Sequence, residues 1–366
     1  MAPRMADNGL AAHPSRVRQE PVEKLSVGVV GYGYWGPNIV RNFHTHPDTR
    51  VAFICDRSPS RQQLASQSYP ELAVTGDYQA ALAAPDLDAV AIATPIETHY
   101  SLARAALEAG KHTWIEKPMA ATSAEASDLL ALASKQGVIL HVDHTFLFHG
   151  AIGKARELLD RGELGEVLYF DSVRTNLGLF QQHHNVIWDL APHDLAIMLY
   201  LLAAQGKRPD RVSAFGQAHF GQSLEDIAYL TLGFPDATIA HFHVNWISPA
   251  KIRLIVVGGT RRMLVIDDMS ASEKVRIYDK GVIVQDTPLP ADSDAARQLR
   301  VQYRSGDMIA PTYDTSEPLR TEVTHFVGCC REQVAAISPG ELGLEVVRML
   351  EAAQRSLQEG NRPVAL

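Results

Sequence analysis

Three residues of this chain have the side chains needed to move a proton on and off an oxygen: Lys117, Asp189 and His193. Lys117 stands in Glu116-Lys117-Pro118, directly after an apolar run at 113–115. Pro118 supplies no N–H, fixes the turn and restricts Lys117 to extended backbone, so the lysine leaves a strand end in a defined direction. Partial burial beside a second positive charge would lower its pKa toward the range useful for acid–base work. On its own, the same tripeptide is also an ordinary surface turn. Asp189 and His193 belong to Trp188-Asp189-Leu190-Ala191-Pro192-His193-Asp194. Four residues apart, they share one face of a helix. A carboxylate and an imidazole there can form an acid–base pair or bind a substrate hydroxyl. The alternative is that Asp189 caps a helix with Pro192 in its first turn. The pattern places that helix over 192–203, with Asp194 facing elsewhere as a first-turn charge.

The elements that must position these groups begin with an apolar run, Leu25-Ser26-Val27-Gly28-Val29-Val30, feeding into Gly31-Tyr32-Gly33-Tyr34-Trp35-Gly36. Asp56 closes the next apolar run, 51–55. Strand, glycine turn, helix, second strand and acid form the dinucleotide fingerprint in its full context. Gly31 allows the tight turn, Gly33 lets backbone approach a pyrophosphate, and Gly36 permits close helix–strand packing. The helix N-terminus offers free N–H groups and the positive dipole end to the phosphates. Tyr32, Tyr34 and Trp35 lie within the same loop. Asp56 is placed to hold a ribose 2′-OH, which favours NAD; Arg57 beside it can accommodate a 2′-phosphate and leaves NADP open. Thr94, Pro95 and His99 follow the buried run 89–93, and Glu116 and Lys117 follow 113–115. Both segments are carboxyl ends of strands, where open α/β sheets bind their ligands.

From Leu25 the sequence alternates apolar strands (near 25–30, 51–55, 89–93, 113–115 and 138–143) with helices (near 36–44, 58–67, 98–109 and 123–136). The continuous apolar strands indicate a parallel sheet covered on both faces, hence a doubly wound domain over 25–145. Residues 1–24 lack periodicity and read as a flexible tail. The remainder, 146–366, has a helix near 149–161 and a strand near 166–176. Successive strands then fall near 211–219, 226–234, 237–247, 252–257, 263–267, 274–279 and 281–286. Helices close the chain near 317–334 and 341–358. Phe234-Pro235-Asp236-Ala237 and Asp279-Lys280-Gly281 look like hairpin turns. The fold class is therefore α/β: a Rossmann domain followed by an α+β domain with a large, mostly antiparallel open sheet, whose uncovered face suits a second copy of the chain.

The chain has 366 residues, 46% hydrophobic and 21% charged, with a formal net charge of −8. No nucleic-acid footprint is visible in that balance, and residues 1–24 contain neither a signal-peptide core nor a membrane span. The 3 cysteines have no metal-ligand spacing and point to a reducing cytoplasm. His141-x-x-His144 and His241-x-His243 lack a third ligand, so no metal site is expected. His144, just after a cleft-side strand, is the histidine of this group expected to touch substrate.

Together Gly31-Tyr32-Gly33-Tyr34-Trp35-Gly36-Pro37-Asn38, Glu116-Lys117-Pro118 and Trp188–Asp194 resemble the Gfo/Idh/MocA oxidoreductase family over nearly everything from Leu25 onward. The first and last of these, with Val173-Arg174-Thr175-Asn176-Leu177-Gly178-Leu179-Phe180, look more like its sugar-nucleotide branch, which includes UDP-N-acetylglucosamine 3-dehydrogenases. The resemblance implies Lys117 as catalytic lysine, Asp189 and His193 as the acid and histidine of the second motif, and Arg174 and Asn176 on the substrate side of the cleft. It implies NAD-dependent oxidation at a sugar ring carbon, most simply C3 of a UDP-linked amino sugar. A homodimer or homotetramer would form through the second sheet, and the keto product would suit a partner sugar aminotransferase. Within the family, free sugars and cyclitols are the competing substrates. A non-catalytic NAD-binding sensor would share the Rossmann signature but has no use for the three proton-handling residues.

Overall fold

The computed structural model describes residues 23–178, 180, 183–220, 224–284 and 301–366. Residues 1–22 of the expected tail, Leu179, and positions 285–286 of the expected last strand lie outside them. The first half alternates β1 (Leu25–Val30), α1 (Gly36–Thr45), β2 (Thr49–Cys55), α2 (Pro59–Ser68), β3 (Ala73–Thr75), α3 (Tyr78–Leu82), β4 (Ala89–Ile92), α4 (His99–Glu108), β5 (His112–Glu116), α5 (Ser123–Gln136) and β6 (Leu140–Asp143). Its six strands are parallel, in the order β3-β2-β1-β4-β5-β6. The order reverses between β1 and β4, which opens the crevice where such sheets take a dinucleotide. β1 and β4 are buried along their whole length, as expected for strands covered on both faces. α5 coincides with the range read from the sequence because both ends are locally encoded. Thr122 and Glu125 form a reciprocal capping box, and Gly137 ends the helix at φ +67°. The short β3 and α3 escaped sequence reading because neither is long enough to show a period.

The second half contains α6 (Gly150–Asp160), β7 (Val167–Leu177), α7 (Val186–Leu202), β8 (Arg211–Gln217), β9 (Ile227–Gly233), β10 (Ile239–Asn245), β11 (Ile247–Gly259), β12 (Met263–Asp267), β13 (Val275–Tyr278), β14 (Gly281–Val284), β15 (Val301–Arg304), β16 (Met308–Ile309), α8 (Pro318–Cys330), α9 (Gly340–Gln358) and β17 (Val364–Ala365). Nine strands form one sheet, β16-β13-β12-β11-β7-β10-β9-β8-β17; only β7–β10 is a parallel pairing. Phe234-Pro235-Asp236-Ala237 does join a hairpin, β9–β10. Asp279-Lys280-Gly281 does not. β14 leaves the large sheet and pairs with β15 in a separate ribbon, while β13 pairs with β12 and β16.

Helix α7 starts six residues before the expected position. Asn185, not Asp189, is its cap: the Asn185 carboxamide oxygen accepts from the backbone N–H of Ile187 at 3.2 Å and of Trp188 at 3.3 Å. Pro192 therefore sits inside the helix. Most of the helix is apolar because it runs through the domain core. By length and composition Val186–Gln205 could cross a membrane, yet 67% of that window is buried inside the protein. The two sheets fall on either side of residue 145, but the packing crosses that division. Leu319, Val323, Phe326 and Val327 of α8 lie in the same core as Val27, Phe43 and Trp114 of the first half.

Candidate active site

At the glycine turn, Gly31 has φ +96°, and a Cβ on it would fall 2.3 Å from the Ala93 carbonyl oxygen. A Cβ on Gly36 would fall 2.1 Å from the Gly31 carbonyl oxygen. Both positions need glycine for the fold itself. Gly33 differs, since a Cβ there would meet nothing within 4 Å. No packing demand explains it, so the open backbone is free for a ligand. α1 begins at Trp35 without a side-chain cap, leaving its first N–H groups unclaimed by a cap. Asp56 is fixed beside the turn by N–H bonds from Tyr32 at 2.7 Å and Ser58 at 2.8 Å. Each of its oxygens retains a lone pair for a ribose hydroxyl. Arg57 and Tyr34 are exposed next to it. The residues present thus fit a dinucleotide. Two expected cofactor contacts need correction. The Tyr32 ring is 2% exposed and packs in the core, leaving its backbone as the part at the turn. His99 is buried, with Nδ1 2.9 Å from the Pro118 carbonyl and Nε2 2.7 Å from the Thr94 carbonyl. It clamps the Lys117-Pro118 turn to the Thr94 turn instead of lining the cleft. Thr94 itself accepts from the Thr98 hydroxyl at 2.7 Å, and Pro95 is exposed.

Lys117 and α7 meet across the two sheets. The Lys117 Nζ donates to the Asp189 backbone carbonyl at 2.9 Å and lies 3.8 Å from its Oδ1. Pro192 removes one hydrogen bond from this stretch of helix and crowds the preceding turn; the lysine binds a carbonyl of that turn. The Asp189 Oδ2 accepts from the Trp246 indole N–H at 2.8 Å, so the carboxylate is held from both sides. His193 packs edge-on to Phe146, with ring centroids 4.9 Å apart. Its Nδ1 is buried without a partner among the described residues. Burial, then Lys117, Arg174, Arg253 and His144, hold its pKa well below the usual histidine range, so the ring is neutral and able to accept a proton. His144 is likewise neutral, pushed down to about 3 by burial and by Lys117. Ser338 donates to the Val142 carbonyl at 2.6 Å and so accepts from His144 Nδ1 at 2.9 Å. That fixes the proton on Nδ1 and leaves a buried Nε2 acceptor unpartnered among the described residues.

Two neighbours change role. Asp194, expected as a first-turn charge, is 2% exposed and bonds Arg174 through both oxygens, Nε–Oδ2 at 2.9 Å and an Nη–Oδ1 contact at 2.6 Å. Ser172 adds a third bond at 2.8 Å. Arg174 is therefore committed to joining β7 to α7, with its guanidinium also over the Phe146 ring. Asn176, two residues on, is partly exposed. Two groups missed by sequence reading stand at the site. Trp246 carries no motif and comes from 57 residues beyond Asp189. His184, just before α7, has a buried unpartnered Nδ1 and a pKa lowered by burial, with Asp189 and Lys117 close enough to act on it. Among the described residues no group of three or more His, Cys, Asp or Glu could hold a metal ion.

A dinucleotide crevice facing a lysine, a carboxylate and a neutral histidine defines a nicotinamide-dependent oxidoreductase. Residues 25–144 match the NAD-binding Rossmann domain of the Gfo/Idh/MocA oxidoreductases, and residues 152–265 match a C-terminal domain of the same group. The chain belongs to the Gfo/Idh/MocA family. It is 31% identical to an uncharacterized oxidoreductase, YdgJ, of Escherichia coli over 65% of this chain and 70% of that one. It is 34% identical to the dTDP-3,4-didehydro-2,6-dideoxy-alpha-D-glucose 3-reductase of Streptomyces violaceoruber, over 40% of this chain and 43% of that one. The fold is shared with UDP-N-acetylglucosamine 3-dehydrogenase GnnA from Acidithiobacillus ferrooxidans, with TM-score 0.76, 21% identity, and 93% and 99% of the two chains covered.

Proposed function

We propose that the protein oxidises a secondary hydroxyl on a sugar ring, with C3 of a UDP-linked amino sugar such as UDP-N-acetylglucosamine as the favoured position. The observation that carries this reading is the convergence of Lys117, Asp189 and a neutral His193 beside the dinucleotide crevice. Bound NAD supplies the hydride acceptor. His193 takes the hydroxyl proton, and Lys117 donates a hydrogen bond to the same oxygen as negative charge develops on it. Asp189, held by Trp246, orients lysine and sugar. Similarity to a UDP-sugar 3-dehydrogenase and a dTDP-sugar 3-reductase supports ring carbon 3 as the site, one working in each direction. A 3-keto product would be consumed by a sugar aminotransferase. Exposed Phe215, Tyr229 and Ile239 on the second sheet support pairing with another copy as a homodimer or homotetramer. Three free thiols, Cys55, Cys329 and Cys330, suit a cytoplasmic setting.

The test is incubation with NAD and UDP-N-acetylglucosamine, following NADH absorbance and the mass of the sugar nucleotide. NADH with loss of two hydrogens is expected. Lys117→Ala and His193→Ala should each lower turnover by about a hundredfold or more. Turnover of free polyols that UDP does not inhibit would refute the sugar-nucleotide reading. NAD bound but unchanged with every sugar offered would leave a sensor.

A further inference from the structure

The carboxyl ends of β5 and β6 carry a buried acidic group that the chemistry above does not use. Glu116 and Asp143 are register partners on adjacent strands. Glu322 reaches them from α8, 0% exposed, with Oε1 2.9 Å from His141 Nε2. Asp143 stands near enough to both glutamates for its charge to act on each of them. Its Oδ2 also accepts from the Trp35 indole N–H at 3.3 Å, and its Oδ1 from the Thr145 hydroxyl. Carboxylates crowded together away from water repel one another, which favours a proton on some of them. Asp143 already receives donors on both oxygens, which leaves the two glutamates as the proton carriers. Burial, reinforced by Asp143, pushes both glutamates well above the usual carboxylate range. Glu116 Oε2 is buried without a partner among the described residues.

The group lies between the glycine loop, through Trp35, and Lys117, which follows Glu116. The other charged or titratable neighbours are Asp189 of α7, His141 and His144 at β6, and His325 of α8. Lys117 favours ionisation of Glu116, whereas Asp143 and Asp189 oppose it. A cationic ring entering this crevice adds one more positive charge and tips that balance.

We infer that Glu116, within the Glu116–Asp143–Glu322 group, is a proton-exchanging counter-charge for the nicotinamide. Its carboxyl O–H gives a proton to solvent when the oxidised, cationic ring binds, and the carboxylate regains a proton when the ring is neutral. The free enzyme and the NADH complex then hold the group at one negative charge, and the NAD complex holds it at two. This rests on NAD binding alone, not on the sugar.

Calorimetric titration of the protein with NAD and with NADH, in two buffers of different ionisation enthalpy, counts the protons. Wild type should release roughly one proton more with NAD than with NADH, and Kd for NAD alone should fall by up to about tenfold per pH unit through the linked range. Glu116→Gln, which keeps shape and a donor, should abolish the difference; Lys117→Met should retain it. Equal proton counts for the two cofactors in wild type would overturn the inference without any variant having to fold. A difference that survives in Glu116→Gln and vanishes in Lys117→Met would also overturn it, because the proton would then belong to the lysine.

Discussion

Asp194→Asn keeps the shape opposite Arg174 and removes the charge. Arg174 is 5% exposed, and its guanidinium spends two hydrogen bonds on this one carboxylate. Breaking a pair at such depth leaves an uncompensated buried cation and costs about 3–5 kcal/mol. At about 2–4 °C per kcal/mol, the melting temperature should fall by roughly 6–20 °C. The double variant Arg174→Met/Asp194→Leu removes both charges and should recover most of that loss, since an apolar replacement of a buried pair is often neutral. It carries a second signature. Arg174 is one of the charges that depress the His193 pKa, so without it the acidic limb of the kcat/KM profile should move to higher pH. Calorimetric melting of wild type, Arg174→Met, Asp194→Leu and the double variant gives the cycle, with Asp194→Asn measured beside it as the change of charge alone. If Asp194→Asn melted within about 2 °C of wild type, or the double variant melted below both singles, the reasoning about burial would be refuted.

The glycine turn separates folding from binding. Gly33→Ala should melt like wild type yet weaken NAD by about tenfold or more, whereas Gly31→Ala should lower stability, because only Gly31 combines φ +96° with a carbonyl in its path; equilibrium binding and melting of the two variants check this. Stability should pass through a maximum between an acidic limb and an alkaline limb. Below it, His99, His141, His144 and His193, whose native pKa values are depressed, let the unfolded state bind more protons, so stability falls with acid by about 1.4 kcal/mol per pH unit for each uncompensated proton. Above it, Glu116 and Glu322, raised in the native state, hold protons the unfolded chain has lost, so stability declines as pH rises through their native values. Urea midpoints against pH should show both limbs, and Glu322→Gln should flatten the alkaline one. Trp246→Phe should lower kcat by roughly 10–150-fold, the worth of a hydrogen bond to a charged acceptor at about 1.5–3 kcal/mol, with little change in NAD affinity; steady-state kinetics in NADH absorbance decides it.

Local signals explain what reads correctly from the chain. Capping at Thr122 and Gly137 sets α5, and unbroken apolar runs set the parallel strands. The glycine spacing with Asp56 sets the crevice. Where two local rules compete, contacts from elsewhere in the fold decide between them. Pro192 resembles a first-turn proline, but Asn185 supplies the cap and the core-filling apolar face carries the helix through the proline. Asp279-Lys280-Gly281 has turn chemistry, yet β13 finds its partners in β12 and β16.

By itself the sequence determined the fold class, the family and the cofactor, because each is carried by motifs that span a few turns of chain. Only the tertiary structure decided what the site residues touch. Arg174 looked like a substrate ligand until Asp194 claimed it, and His99 looked like a cleft residue until two carbonyls enclosed it. Trp246 and Glu322 had no signal at all, since their partners stand 57 and 181 residues away. Charge and hydrogen bonding act over a few ångströms of space, and sequence spacing does not encode which distant side chains the sheets will bring within that reach.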